Sequence, residues 1–413
     1  MTNSKLVPRR RFKEFESDGE WEQKILSELA EVEGGGTPST VNPQYWDGDI
    51  DWYTPAEIGE SVFVGQSKRK ITVMGLEKSS AKVLPIGTVL FTSRAGIGKT
   101  AILAREGCTN QGFQSIVPKE DLLASYFVYS QSNKLKQYGE RIGSGSTFVE
   151  VSGKQMSEMP LIIPSIFEQK ELGDFFQTID SLISNHQHKL DKLKDLKKAY
   201  LTEMFPAEGE RVPKRRFPGF ESEWEQKKLT DLLSLLKDGT HGTHQDVNKG
   251  PLLLSAKNIK GGDIIWDETD RRISLEEYMK IHSKFVLNSG DILLTIVGSI
   301  GEAAVLEDAS NITFQRSVAF LRPNKTVSTQ FLYTKIQTKE FQKELDNRKS
   351  TSAQPGIYLG DLESIPISFT PLKKEQNKIG KFFEALDQLV TLQQQKLDKL
   401  NDLKKAYLNE LFV

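Results

Sequence analysis

This chain of 413 residues has a single cysteine, Cys108, and only five histidines. One cysteine excludes an internal disulfide framework and fits a reducing compartment, which predicts a cytoplasmic protein. No apolar run is long enough to span a bilayer, and the basic N-terminus lacks the apolar segment of a signal peptide. The formal net charge of −1 gives no indication of a polyanionic partner. With so few cysteines and histidines, no Ser/His/Asp or Cys/His catalytic constellation can be assembled.

Two motifs resemble nucleotide and cofactor sites but lack a required residue. Gly98-Lys99-Thr100 is like the end of a phosphate-binding loop, but Ser93 stands where that loop needs a glycine for its backbone turn. Asn42-Pro-Gln-Tyr45 is like the adenine-methyltransferase tetrapeptide Asn-Pro-Pro-Tyr without its second proline. Neither motif therefore predicts a site.

Two further motifs have simpler explanations. His241 and His244 could begin a zinc site, but zinc needs three or four ligands and only Asp246 stands nearby. Glu-Gln-Lys, which resembles a nuclease Glu-x-Lys, occurs at 22, 168 and 225. We interpret the histidines as polar loop residues and the Glu-Gln-Lys tripeptides as surface charge.

The chain contains a long internal repeat. Leu190 to Phe205 returns as Leu397 to Phe412 at an offset of 207, with thirteen of sixteen positions identical. Upstream, the basic stretch that begins at Arg10-Arg11-Phe12 returns at Arg215-Arg216-Phe217. A repeat of this kind is one supersecondary unit used twice, so the sequence predicts two copies of one module.

Each repeated helix has apolar residues at every seventh position, on two adjacent rows. This spacing predicts two rods of about 40 residues, each roughly 60 Å long, that pair as a coiled coil. The alternative is two ordinary amphipathic helices on separate domains, although such helices seldom run so long. The predicted seam includes Ile179, His186, Leu193 and Tyr200 in the first copy and Leu386, Gln393, Leu400 and Tyr407 in the second.

The two copies share framework residues but differ in their loops. Gly290 to Thr295 matches Gly87 to Thr92, whereas Arg94 becomes Val297 and Lys99 becomes Glu302. One scaffold with two different sets of loops is what recognition of two different surfaces requires.

The chain resembles the specificity subunit of type I restriction–modification systems over essentially its full length. The resemblance depends on the two near-identical helices, on the Arg-Arg-Phe-Pro-Gly-Phe-Glu-Ser-Glu-Trp-Glu linker at 215–225, and on Gly35 to Ser39 followed by Tyr45-Trp46. It implies an α+β fold of two target recognition domains separated by two long helices that form an antiparallel coiled coil with pseudo-twofold symmetry. The implied boundaries are 1–164 for the first domain, 165–206 for its helix, 207–371 for the linker and second domain, and 372–413 for the last helix.

The resemblance also implies a function. Each domain would read one half of a bipartite DNA target, while the coiled coil would set the spacer and dock two methyltransferase subunits. The chain would have no catalytic activity of its own. Methylation with S-adenosylmethionine and cleavage driven by ATP with Mg²⁺ would belong to those methyltransferase subunits and to translocase-nuclease subunits. The alternatives are an enzyme in its own right and a coiled-coil adaptor that binds only protein.

We predict that loop side chains that can donate or accept hydrogen bonds contact DNA, with Arg and Lys on phosphates and the others on base edges. In the first copy these are Thr37, Ser39, Ser93, Arg94, Lys99, Gln114, Ser144 and Thr147. In the second copy they are His241, Thr243, His244, Lys257, Asn258, Gln315, Arg316, Ser350 and Thr351. For each of them the alternative is a solvated loop residue.

Overall fold

The computed structural model describes residues 6–94, 96–143, 150–350 and 355–413. The chain divides into two compact units. Unit one comprises Met1–Gln187 and Gln395–Val413, and unit two comprises His188–Gln394. Each unit therefore contains a lobe, the first part of one long helix and the last part of the other.

Unit one mixes short strands and helices. Its strands are β1 Glu22–Ile25, β2 Ala30–Gly34, β3 Trp46–Tyr53, β4 Phe63–Val64, β5 Arg69–Ile71, β6 Val89–Phe91, β7 Thr100–Leu103, β8 Cys108–Thr109, β9 Gln114–Pro118 and β10 Pro160–Ile163. Its helices are α1 Leu26–Leu29, α2 Val73–Glu77, α3 Ser125–Ser130, α4 Ser132–Gly143, α5 Gly153–Ser157 and the start of α6 Ile166–Glu203. The main sheet has the order β2-β9-β6-β7-β4, beside the smaller sheets β5-β3-β8 and β1-β10.

Unit two repeats this plan. Its strands are β11 Glu225–Lys228, β12 Leu233–Asp238, β13 Leu252–Leu254, β14 Ile259–Lys260, β15 Asp263–Ile264, β16 Ile292–Thr295, β17 Ala303–Val305, β18 Ile312–Phe314, β19 Val318–Pro323 and β20 Pro366–Phe369. Its helices are α7 Leu275–Ile281, α8 Thr329–Ile336, α9 Lys339–Arg348, α10 Leu359–Glu363 and the start of α11 Lys373–Glu410. The main sheet is β12-β19-β16-β17, with the pairs β13-β18, β14-β15 and β11-β20.

The two long helices have the same length and the predicted pattern of burial. Both α6 and α11 contain 38 residues. Ile179 and Leu386 of the predicted seam are buried. The other six members are each partly buried, namely His186, Leu193, Tyr200, Gln393, Leu400 and Tyr407.

Within each unit the two helices run antiparallel. In unit one, Lys404 Nζ lies 2.5 Å from Asp180 Oδ1, and the rings of Phe175 and Tyr407 are 5.1 Å apart. In unit two, Lys197 pairs with Asp387, and the rings of Tyr200 and Phe382 are 5.0 Å apart. Residue numbers rise on one helix as they fall on the other. The predicted α+β fold with an internal repeat and antiparallel long helices is confirmed.

The two basic arms fasten these helices to the lobes. Arg11 makes a two-pronged ion pair with Glu168, at 2.7 and 2.6 Å, and Arg216 makes the same pair with Glu375, at 2.6 and 2.8 Å. Both carboxylates are buried, so the interpretation of Glu168 as surface charge was wrong. Arg11 donates these hydrogen bonds to the Glu168 carboxylate, which raises the pKa of Arg11 above its ordinary value and keeps the guanidinium charged. The paired arginines have a structural role, because a buried carboxylate needs such a partner.

Within the described ranges, no helix combines the length and apolar character needed to cross a membrane.

Candidate nucleic-acid interface

A threonine at equivalent positions of the two units makes the same hydrogen bonds within one loop. Thr92 Oγ1 donates to the carbonyl of Gly96 at 2.7 Å and accepts from the amide of Lys99 at 3.0 Å. In unit two, Thr295 Oγ1 donates to the carbonyl of Ser299 and accepts from the amide of Glu302 at 2.9 Å. Both loops thus share these two threonine hydrogen bonds, while Lys99 and Glu302 give them opposite charge.

Three further segments of unit one approach this loop. The Ser93 amide donates to the carbonyl of Gly112 at 2.8 Å, and the Val151 amide donates to the carbonyl of Ser93 at 3.0 Å. On the Gly112 side, Thr37 Oγ1 donates to Gln111 Oε1 at 2.5 Å. The structure therefore brings the loops that carry Thr37, Arg94 and Gln111 to one end of the lobe.

The predicted DNA-contacting residues of unit one differ in exposure. Arg94 is exposed, with Nε 2.6 Å from Glu150 Oε1, and Ser39 and Lys99 are also exposed. Thr37 and Gln114 are partly buried. Ser93 is 0% exposed and its hydroxyl has no hydrogen-bond partner among the described residues, so in this conformation it cannot touch a duplex. Ser144 and Thr147 lie outside the described residues.

In unit two, the loop after β12 lies beside the turn after β18. The Thr240 amide donates to the carbonyl of Phe314 at 2.9 Å, and the Arg316 amide donates to the carbonyl of Thr240 at 3.0 Å. These bonds place the histidine loop next to Gln315 and Arg316. The Arg316 side chain is exposed and forms no ion pair with any residue that the structure describes.

The two histidines of this loop have different partners. His241 is exposed, with Nε2 2.5 Å from Asp238 Oδ2. His244 Nε2 lies 2.7 Å from Thr240 Oγ1, and its Nδ1 is 3.5 Å from Glu277 Oε1, an ion-pair contact too long for a strong hydrogen bond. Among the described residues, no group of three or more His, Cys, Asp or Glu side chains could hold a metal ion.

Asn258 has a structural position. Its side chain is 4% exposed, and its amide nitrogen donates to the carbonyl of Ile265 at 2.9 Å and to Asp270 Oδ1 at 3.0 Å. Its Oδ1 accepts from the amide of Ser255 at 3.0 Å. Asn258 therefore cannot reach a base in this conformation. Its neighbour Lys257 is exposed and its bond to Asp270, with help from Asn258, lowers the pKa of that carboxyl to about 2.

The remaining predicted residues of unit two lie near the same loops. Thr243 is exposed, and Gln315 is partly buried. Ser350 Oγ accepts from the amide of Gly356 at 3.0 Å. Thr351 lies outside the described residues. Sequence reasoning missed Tyr358, which is 73% exposed two residues beyond Gly356, because an isolated tyrosine has no recognisable pattern.

The loop ends of both lobes can therefore present amides, hydroxyls and cations on a fixed backbone. Such groups can bind phosphates and base edges.

Comparison with known proteins identifies the family. The sequence model described as "Type I restriction modification DNA specificity domain" matches residues 18–195 and 221–402. The chain is 30% identical over 287 residues to the type I restriction enzyme MjaIX specificity subunit of Methanocaldococcus jannaschii, which covers 64% of this chain and 64% of that relative. The MjaVIII specificity subunit of the same organism is 21% identical over 318 residues, or 75% of this chain and 74% of the relative. The chain thus spans just under two thirds of the first relative's length.

One solved structure is similar along the whole chain. The S subunit of a type I restriction–modification system from M. genitalium superposes with a TM-score of 0.64 at 14% identity, covering 99% of both chains. At that identity the likeness shows a shared fold.

Proposed function

This chain belongs to the type I restriction–modification DNA specificity family, and from that premise we propose that each of its units reads one half of a bipartite DNA target. The observation behind this proposal is the repeated loop with altered side chains. Thr92 and Thr295 make equivalent hydrogen bonds, yet Arg94 and Lys99 of unit one are replaced by Val297 and Glu302 in unit two. Equal backbones with unequal side chains suit the recognition of two unlike half-sites.

The exposed cations give each unit a means of binding DNA. Arg94 is held by Glu150, and a phosphate or a guanine edge could take the place of that carboxylate. Arg316 has no acidic partner among the described residues and is available for a phosphate. The exposed and partly buried loop residues, Thr37, Ser39, Lys99, Gln114, His241, Thr243, His244, Lys257, Gln315 and Ser350, remain our predicted contacts.

We propose that the long helices set the distance between the two half-sites. Helices of 38 residues at ~1.5 Å per residue are each about 57 Å long. One turn of B-DNA is ~34 Å, so helices of this length suit half-sites about one turn or more apart.

The same helices offer a repeated surface for partners. Four leucines outside the seam are exposed at equivalent positions, Leu182 and Leu389 at 44% and 50%, and Leu196 and Leu403 at 41% and 43%. Each unit contains one leucine from each helix, Leu182 with Leu403 and Leu389 with Leu196. A surface that occurs twice can bind the same protein twice, and we assign it to two methyltransferase subunits.

Catalysis would then belong to the partners. The methyltransferase subunits would bind S-adenosylmethionine, and translocase-nuclease subunits would use ATP and Mg²⁺. The chain itself would supply sequence recognition without a reaction of its own.

The experiment is to map methylated bases in cells that contain the whole system, with the wild-type chain, with Arg94→Ala and with Arg316→Ala. We expect one bipartite motif that disappears when the gene is deleted. The two variants serve as controls for each other, because each should weaken or relax only its own half of the motif. A motif that survives deletion of the gene would refute the proposal.

Binding of the assembled complex to duplex DNA across a salt series separates this function from that of a protein-only adaptor. Phosphate contacts make affinity fall steeply with salt, and specific contacts separate target from non-target DNA. Equal, weak binding to both duplexes at every salt concentration would favour the adaptor.

A further inference from the structure

One short segment borders the loop after β6 in unit one, and an equivalent segment borders the loop after β16 in unit two. In unit one, the amide of Val151 donates to the carbonyl of Ser93 at 3.0 Å. In unit two, the amide of Ile357 donates to the carbonyl of Ile296 at 2.9 Å. We call residues 150–152 and 356–358 the rim segments. Each pairs with the first residues of the loop that carries Arg94 or Val297.

Side chains alternate along the rim segment of unit two. Ile357 is 3% exposed and points into the core, so Gly356 and Tyr358 point outward. Gly356 pairs with Val297, and a Cβ built on Gly356 would lie 3.3 Å from Val297 Cγ2. Val297, which is partly buried against the core, and Tyr358 therefore lie on the same side of the rim segment.

The stability of the fold gives no reason for a tyrosine here. Tyr358 is the N-cap residue of α10, yet its side chain makes no capping bond and is 73% exposed. At the equivalent place in unit one, Ser152 caps α5 by accepting from the amide of Gln155 at 3.3 Å. Serine is a favoured cap and tyrosine is not. Tyr358 thus exposes an aromatic ring to solvent and leaves the helix without a capping side chain. Binding of a ligand by this ring explains the tyrosine better than stability does.

The rim segments differ in chemistry between the units. In unit one the outward groups are Arg94, Glu150 and Ser152, which are charged or polar. In unit two, Tyr358 is exposed and Val297 is partly buried against the core, and these two side chains are aromatic and apolar. The next turn carries the exposed Arg316, since the amide of Ile296 donates to the carbonyl of Ser317 at 2.9 Å.

We infer that Tyr358, beside Val297, contacts the C5-methyl group of a thymine, so that the half-site read by unit two contains an A·T pair at this point. This inference rests on the proposed function. In the major groove the thymine methyl is the apolar group among the base edges, and apolar side chains recognise it by contact. Arg316 beside it is placed to hold the neighbouring phosphate, which fixes the register of that contact.

The test replaces each thymine of the mapped target, one at a time, by deoxyuridine, which lacks only the C5-methyl group. Binding of the assembled complex is measured by titration. We expect about fourfold weaker binding at one position in one half-site, the effect of exposing one methyl-sized group. With Tyr358→Ser, the same position should become insensitive to the substitution, while Tyr358→Phe keeps the sensitivity.

Two controls separate this contact from general effects. Tyr358→Ser places at the N-cap the residue that unit one uses there, so its thermal unfolding should be unchanged or slightly higher. Phe167 is equally exposed, at 73%, and lies in unit one at the start of α6. Phe167→Ser should leave the deoxyuridine penalty as it is.

The outcomes are distinct. Deoxyuridine tolerated at every thymine, or a penalty that persists in Tyr358→Ser, overturns the inference and leaves the proposed function standing. A wild-type complex that does not discriminate target from non-target DNA refutes the proposed function and this inference with it.

Discussion

A buried carboxylate at the start of α11 depends on one arginine. Glu375 is 0% exposed and is held by Arg216 and by Thr370 Oγ1, which donates to it at 2.7 Å. Arg216→Ala would leave this charge without its counter-ion, and we expect a loss of about 3–5 kcal/mol in the free energy of unfolding. Urea unfolding followed by circular dichroism measures it.

The neighbouring arginine supplies the control for that experiment. Arg215 pairs with Glu203 on the surface, at 2.7 Å. Exposed ion pairs contribute little to the free energy of unfolding, so the Arg215→Ala variant should unfold at almost the same urea concentration as the wild type. Equal effects of the two substitutions would contradict a structural role for the buried pair.

The structural role of Asn258 can be tested by substitution. Its hydrogen bonds join Ser255, Ile265 and Asp270, so Asn258→Ala should destabilise unit two by about 1–3 kcal/mol and leave the DNA motif unchanged. If the methylated motif changed while the unfolding of the variant stayed the same, Asn258 would be a DNA contact and not a structural residue.

The same substitution should alter acid unfolding. The pKa of Asp270 is lowered from 3.8 to about 2, so its charge stabilises the fold above pH 4 and that stability is lost as the pH falls toward 2. Without the Asn258 hydrogen bond this pKa rises toward 3.8, so the stability lost on acidification should be smaller and should be complete at a higher pH. Asp270→Asn should remove this dependence, and circular dichroism from pH 5 to pH 2 measures it.

For loop residues, the sequence shows which side chains are polar but not whether they point into the protein or into solvent. Ser93 and Asn258 stand in polar, glycine-containing loops, which predicts exposure, but both side chains are buried. A loop has no regular period from which an inward or an outward side chain could be inferred. The positions with a seven-residue period on the long helices are buried or partly buried, because a helix repeats its geometry.

Among the elements, the close approach of lobe helices to the long helices depends on glycine. A Cβ at Gly380 of α11 would lie 2.7 Å from Gln330 Cβ and 3.2 Å from the amide nitrogen of Phe331. Gly380→Ala should therefore destabilise the protein by about 1–3 kcal/mol, despite the better helix propensity of alanine. The equivalent Gly173 is less crowded, at 3.2 Å from Tyr126 Cβ, and Gly173→Ala should cost less.

Gly360 provides the matched control for these two glycines. It lies inside α10, and no side chain or other segment of the described residues comes within 4 Å of a Cβ built on it. Gly360→Ala should therefore stabilise the protein by up to about 1 kcal/mol through helix propensity alone. Chemical unfolding of the three variants should give this order, and a stabilised Gly380→Ala would refute the packing argument.

The short elements were harder to predict than the long helices. The amphipathic stretch from 122 to 138 predicts one helix, but the structure has α3 and α4 with a break at Gln131. Ser130 Oγ donates to the carbonyl of Tyr126 at 2.8 Å, and Ser132 Oγ bonds the carbonyl of Tyr129. Serine hydroxyls that bond helix carbonyls in this way favour the end of a helix. The apolar pattern of the sequence continues across this break, so the pattern alone does not reveal it.

For the whole molecule, the internal repeat has the consequence that neither unit is a contiguous half of the sequence. Leu190 to Phe205 ends the first copy of the repeat but belongs to unit two, and Leu397 to Phe412 ends the second copy but belongs to unit one. Their near identity is explained by their surroundings. The rings of Phe412 and Phe176 are 5.6 Å apart, and those of Phe205 and Phe383 are 6.3 Å apart. The end of each long helix therefore contacts equivalent residues of the other long helix.

This arrangement allows a test of the proposed spacing. The unit boundaries after Gln187 and Gln394 are 207 residues apart, the offset of the repeat. One heptad inserted at both places lengthens each helix by about 10 Å and leaves the contacts inside each unit unaltered. If helix length sets the distance between half-sites, the spacer of the methylated motif should grow by about three base pairs at ~3.4 Å each, with both half-sites unchanged. A single insertion in one helix is the control, because it breaks the antiparallel register and should abolish methylation. An unchanged spacer after the double insertion would refute the proposal that the helices measure the target.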